Sequence, residues 1–409
     1  MEPEIRPGRI VCMRQVLQVA MLLIAPGAMG QDLVAQVEYP KLGLGFVYNE
    51  VDIAPETARD LAQKHAVLTL QNVKTLSEDV ARNLVIPFPD IFLTLPSVET
   101  LSPEAARALS KRGGYIDLSG LQTLSPETAA AIVAEPGNSI YLSGVTEISP
   151  EVARMLVKGR RGGLRIGLKE LPPAIAVILA TWNADLTFSK LETLSVESAE
   201  AFAAHRRRLS LGAATISQDV AAVLLKHQGT IGLELVSRLE PGVGDILARH
   251  KFDVQLILEE IDSPALARKI FSEPNASASV YRLRTMSPEV AAVYAEFSPA
   301  PGDPWNLVTL SPQAAKALAS SSNDLDLPAL ARLTPDLATA LTARKRAVYL
   351  GGLKSLDGPE ALAVAEALAS TTAPVYLPSL ERISAPALAA LRKKATITIP
   401  ADENLTIVK

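Results

Sequence analysis

Apolar residues along most of the chain fall into two alternating patterns. A short stretch with apolar residues two apart gives way to one with apolar residues three apart, and the whole recurs about every 23 residues. The clearest copy is Leu118–Ala134, LSGLQTLSPETAAAIVA. Copies align on the residue that opens the second pattern: Ala54, Ser77, Ser102, Ser125, Ser149, Pro172, Ser195, Ser217, Glu240, Ser263, Ser287, Ser311, Thr334, Asp357 and Ser384. A period this regular marks a repeat array in which each unit packs on its neighbours.

The part after each anchor predicts a helix. Serine accepts a hydrogen bond from an otherwise unpaired N–H of the first turn. Proline comes next in several units (Pro103, Pro126, Pro150, Pro288, Pro312, Pro335), where its missing N–H costs nothing. Glu104, Glu127, Glu151 and Glu289 then suit the positive helix end. Alanine stands four residues past the anchor in all units except those with Gly244 and Leu388, and a large apolar residue stands seven past it. Together they predict a narrow buried stripe, with the small member permitting close approach. Before the anchor the period is two: Ile116/Leu118, Ile140/Leu142, Leu186/Phe188, Leu325/Leu327, Val348/Leu350 and Val375/Leu377 predict short strands with one buried face. Strand, turn and helix repeated in one direction require successive strands to be parallel.

These units resemble the leucine-rich repeat family, whose signature is L-x-x-L-x-L-x-x-N-x-L over 20–29 residues. The resemblance spans about residues 42–409 and implies an α/β, right-handed βα-solenoid of about 15 units. Short parallel strands would line a concave face and helices a convex one, because strands stack about 4.8 Å apart while helices need roughly 8–10 Å. One position departs from the family. Where it has asparagine, this chain has Val73, Val98, Leu121, Val145, Leu191, Val236, Leu330, Leu353 and Leu380. Apolar packing is expected to hold that turn instead.

Residues 1–30 read as a signal peptide. Arg6, Arg9 and Arg14 precede an apolar run, Val16 to Ala25, too short to span a bilayer, and Ala28-Met29-Gly30 has the small residues of a cleavage site. Met13 is an alternative start, and Cys12, the chain's one cysteine, would then be absent. Residues 31–48 are expected to cap the array, 49–409 to form the solenoid with closing strands at its C-terminal end, and Phe297 to Trp305 to bulge from it. Removing the signal takes three arginines and two glutamates from 40 basic and 44 acidic groups, leaving a net charge of −5. A mildly acidic chain with 4% aromatic residues has no electrostatic footprint for nucleic acid. No later segment is long and apolar enough to predict a transmembrane span.

Candidate chemistry is sparse. His205, His227 and His250 each lie ten residues past their anchors, at helix C-termini, where they can bond the last carbonyls. A metal-ligand row is the alternative, but helix spacing separates them and no carboxylate shares the register. Basic residues crowd the same end (Lys111, Arg112, Arg206 to Arg208, Arg344 to Arg346) and acidic residues the helix-opening end, predicting one basic and one acidic rim. Glu259-Glu260 and Asp402-Glu403 would point to opposite faces if they lie on strands. Neither catalysis nor a cofactor or metal is implied. Between the paired strand apolars stand mostly small residues, then Asp326, Tyr349 and Tyr376, with Tyr141 earlier. Tyrosine is a frequent anchor of recognition surfaces. The expectation is an exported, non-enzymatic scaffold that binds a protein or other macromolecule through its concave face at Tyr141, Asp326, Tyr349 and Tyr376. The alternative is a self-associating structural component of an envelope or extracellular layer.

Overall fold

A computed structural model describes residues 45–408 apart from 86–91, 160–161, 213–214, 234–235, 237–238, 257, 273–281 and 298–305. The expected signal peptide, most of the cap, and the Pro-rich part of the expected bulge lie outside these. Fifteen α-helices are found among the described residues, and they alternate with short strands in chain order, except that no strand is described between Pro264–Phe271, Pro288–Glu296 and Pro312–Leu318. Ten strands from Phe46–Tyr48 to Val254–Leu256 form one parallel sheet in sequence order. Leu325–Asp326, Val348–Tyr349, Val375–Tyr376 and Ile397–Thr398 form a second sheet of the same kind. Most of these strands turn one face to the helices and leave the other partly open, as in Phe92–Thr94, Tyr115–Asp117 and Leu164–Ile166, whereas Leu209–Leu211 and Ile231–Leu233 are buried throughout.

The helix starts follow the sequence closely. In eleven of the fifteen helices the Ser or Thr anchor accepts from the N–H three residues on, as Ser125 does from Thr128 at 3.1 Å and Ser149 from Val152 at 3.2 Å. Two anchors are displaced. Glu240 precedes a turn, and the helix Val243–Ala248 opens after Gly242, whose φ of 81° favours glycine. At Asp357 the preceding strand keeps register, Ser355 opposite Arg382, but the helix Ala361–Ala369 opens only after a further turn. The extra length of this unit lies there; Ala361 and Val364, four and seven past the anchor, are still buried, joined by Ala365 and Leu368. Elsewhere the alanine and the large apolar residue are buried as expected: Ala129 and Ile132, Ala153 and Leu156, Ala338 and Leu341 all join one continuous core.

The turn that lacks asparagine closes on its own backbone. Leu121 N–H bonds Leu118 O at 3.1 Å, Val145 bonds Leu142 at 3.1 Å, and Val236, Leu330, Leu353 and Leu380 repeat the pattern. These side chains are buried, and backbones of adjacent turns press directly together. At Gly120 a Cβ would stand 2.6 Å from Pro96 O and 2.8 Å from Val98 N. A third parallel sheet, not evident from the apolar pattern, joins Ser355–Leu356, Arg382–Ser384 and Thr406–Val408 just before the helix starts, and Thr75 and Thr100 form a single bridge at the same place.

The opposite corner, where helices end, holds a ladder of buried donors. A helix leaves its last carbonyls unpaired, and side chains of the next repeat reach back to them or to carbonyls of the loop that follows the helix. Arg112 donates to Leu84 O, Asn138 to Ser110 O, Trp182 to Gly162 O at 3.0 Å and Arg344 to Asn323 O. The histidines belong to this ladder. Their rings stack 5.7 Å (His205–His227) and 6.3 Å (His227–His250) apart, closer than the helix spacing expected from sequence, because they sit in the corner rather than on the helix axis. His250 Nε2 meets His227 O at 3.1 Å, and His227 meets Phe202 O and Arg207 O, both at 3.0 Å.

The rims also differ from expectation. The helix-opening edge is not uniformly acidic, since Lys74, Lys169 and Lys354 stand on it and pair with Glu99 (3.3 Å), Glu192 (3.7 Å) and Glu381 (3.5 Å) of the next repeat. Such exposed pairs contribute little stability each, but they cancel charge along that edge. Glu259-Glu260 come after the strand Val254–Leu256, and Asp402-Glu403 lie in a 3₁₀ turn, so neither pair is on a strand.

Candidate functional site

The open face of the sheets is where side chains point outward from strands whose other face is core. Two clusters stand out on it. In the first sheet, Phe92 and Tyr115 are opposite each other on adjacent strands, with rings parallel within 3° and centroids 4.4 Å apart. Tyr115 leans on Tyr141 at 6.2 Å, and the guanidinium of Arg165 lies 5.1 Å from the Tyr141 ring centre. That distance is within reach of cation–π attraction. Asp117 stands one strand before Tyr141 in register and accepts from Ser119 N–H at 2.9 Å.

The electrostatics of this cluster come from its partial burial. Loss of water raises the Asp117 carboxyl above the ordinary carboxylate range, against the opposing pull of its Ser119 bonds and of Arg165. Burial likewise raises the Tyr141 phenol, although Arg165 favours its ionised form. A carboxylate, a guanidinium and three aromatic rings thus form one neutralised, half-buried surface.

The second cluster is in the second sheet. Asp326, Tyr349 and Tyr376 are directly opposite one another on three successive strands, as the repeat register predicts. The tyrosine rings stack 4.5 Å apart and within 7° of parallel. Their spacing matches that of the strands, so the rings stack across the strands and their hydroxyl edges face outward. The Tyr349 phenol is pushed up by loss of water, with Tyr376, Asp324 and Asp326 all adding to the same direction.

The structure brings three of the four sequence-derived residues together and places Tyr141 in the other cluster. Phe92, Tyr115 and Arg165 were not among them. Arg165 lies between Leu164 and Ile166, an apolar pair with one residue between, and could have been found by extending the strand register to that unit. Phe92 and Tyr115 stand one place before the first apolar residue of their strands, a row the repeat pattern does not mark. Among the described residues no three His, Cys, Asp or Glu side chains gather as a metal site. The ring nitrogens of His227 and His250 are directed at backbone groups of the corner. Among the described residues no helix is long and apolar enough to cross a membrane. Asn275, one of two matches to the glycosylation pattern, lies outside the described residues, and Asn404, the other, is exposed.

No family model matches the chain, and no curated protein matches it. Solved structures do. The TLR13–ssRNA13 complex overlaps with a TM-score of 0.36 and 14% identity, over 84% of this chain and 51% of that one. An internalin from Listeria monocytogenes gives 0.36 and 13%, over 85% and 95%. The Toll–Spatzle complex of Drosophila gives 0.35 and 13%, over 79% and 48%. The chain spans about half the length of the first and third of these. At such scores the fold rests on the chain's own strand–turn–helix repeat rather than on the overlap, and that repeat is leucine-rich-repeat-like.

Proposed function

We propose that this protein is a non-enzymatic recognition scaffold that holds a macromolecular partner, most simply a protein, against the open face of its sheets. The observation that carries the reading is the placement of aromatic side chains. Phe92, Tyr115, Tyr141, Tyr349 and Tyr376 stand half-buried on that face. Tyrosine there offers contact area at low conformational cost together with a hydroxyl. Export fits the reading through the charged, apolar and small-residue pattern of residues 1–30, and the partner would then be met outside the cytoplasm.

The test is capture by immobilised residues 31–409 from the envelope and secreted fractions of the source cell, with Tyr349→Ser/Tyr376→Ser and Tyr115→Ser/Tyr141→Ser variants alongside. A partner bound by the wild type and lost by either variant supports the open face as the binding surface. A partner held equally by all three would sink it, and recovery of the chain alone would favour self-assembly.

A further inference from the structure

The open face builds the same row of side chains twice. In the first sheet Asp117, Tyr141 and Arg165 occupy one row on successive strands. In the second sheet the row reads Asp326, Tyr349, Tyr376 and then Thr398. The two begin alike, with a carboxylate beside a tyrosine. They part at the third strand. The first row is completed there by the chain's own guanidinium, 5.1 Å from the ring centre of Tyr141. The second continues with another tyrosine, and the strand beyond it supplies only a short, exposed threonine.

The third strand of the second row thus carries a tyrosine where the first row carries Arg165. Among the described residues no cation lies over either ring, whereas one does in the first row. The groups whose charge bears on the Tyr349 phenol are Tyr376, Asp324 and Asp326, none of them basic. Because the two rings stack across the strands at 4.5 Å, the outer face of Tyr376 is turned toward Thr398. That is the relation in which Arg165 stands to Tyr141. The planar guanidinium suits such a ring face better than an ammonium, being more weakly hydrated and able to stack.

We propose that the Asp326–Tyr349–Tyr376 row takes an arginine side chain of a protein partner, seated on the outer face of Tyr376 above Thr398. The contact reproduces between molecules what Arg165 makes within the chain, a guanidinium held against the face of a tyrosine ring. This rests on the open face being the recognition surface and names what one part of it recognises.

The experiment measures binding, by fluorescence anisotropy at low salt, of a short labelled glycine–serine peptide carrying arginines. The same peptide with citrulline, equal in shape but uncharged, is the comparison. Wild type is expected to prefer arginine by about two- to fivefold. Tyr349→Ser/Tyr376→Ser leaves the net charge unchanged and should erase the preference. Thr398→Arg, at an exposed site that leaves both tyrosines in place, should fill the position from within the chain and erase it too, with the melting temperature unchanged. No preference in the wild type, or a preference that survives Thr398→Arg, overturns the proposal. If a cellular partner is lost by the tyrosine variant while the arginine preference is absent, the recognition reading stands and this inference alone fails. If the partner is held by all variants, the recognition reading itself fails.

Discussion

The turn at Gly120 gives the sharpest test of how these repeats are held together. A Cβ at this position would stand 2.6 Å from Pro96 O and 2.8 Å from both N and O of Val98. All three are backbone atoms of the preceding turn, so no side chain can rotate away. Ordinary contact begins near 3.4 Å, and restoring it needs the two turns to part by roughly 0.8 Å, the difference from 2.6 Å. Overpacking of this kind costs about 1–3 kcal/mol. The unfolded chain loses freedom when glycine becomes alanine, which returns about 0.4–1 kcal/mol. Gly120→Ala should therefore destabilise by about 1–2 kcal/mol. Gly358 provides the control, since a Cβ there meets nothing within 4 Å and Gly358→Ala keeps only the favourable entropy change. Urea titration followed by circular dichroism reads both, as shifts of midpoint at an unchanged slope. A Gly120→Ala midpoint equal to or above that of wild type would refute the direct backbone stacking.

Further predictions concern the stripe, the caps and the buried corner. Ala129→Leu places extra carbons on a fully buried contact between helix and neighbouring repeat and should cost about 1–3 kcal/mol, measured by the same titration. Ser149→Ala removes the acceptor for Val152 N–H, for an expected loss of about 1 kcal/mol, while Ser149→Asp should largely preserve stability. For pH, burial holds His205 below its ordinary value of 6.5, helped by His227. His227 is lowered too, burial outweighing its carbonyl contacts. Folded His205 and His227 thus stay neutral where they take up protons once unfolded, so the unfolded state binds more protons and stability falls as pH drops below about 6.5. Midpoints at pH 7.5 and 5.5 should differ in that direction, and His205→Phe should reduce the difference. A flat profile across this window would contradict the burial of His205 and His227 as neutral rings.

Much of the architecture was legible because one unit states it many times. Ser-Pro-Glu followed by Ala and Leu at fixed offsets specifies a cap, a first turn and a buried stripe, and the structure places Ser125, Ala129 and Ile132 accordingly. The sequence misled where a unit departed from the average. Glu240 and Asp357 hold the anchor position by counting, but neither is followed by a residue pair that can start a helix at once, so Gly242 and the turn before Ala361 intervene. The corner ladder was only half visible. His205, His227 and His250 shared a register with Arg112, Trp182 and Arg344, but residue types so unlike one another conceal a common role as donors. The candidate site was legible where it kept to the strand register, as in the Asp326, Tyr349 and Tyr376 row. It was missed where the relevant neighbours lay in the adjoining row, as with Phe92 and Tyr115, since periodicity marks which residues are buried and says little about which exposed ones touch.

The ladder of buried donors points one way. Arg112, Asn138, Trp182, His227, His250 and Arg344 each reach back to a carbonyl of the repeat synthesised before their own. A repeat leaving the ribosome can therefore form its helix and strand while its C-terminal carbonyls still lack their partners, and the next repeat completes it on arrival. Growth by addition at the C-terminal end is then a series of self-terminating steps, each leaving one unfinished corner rather than an accumulating debt. The same asymmetry separates the two ways of shortening the array. Cutting from the C-terminal side exposes a carbonyl that water can satisfy, whereas cutting from the N-terminal side strands a buried arginine, histidine or tryptophan donor at the new end.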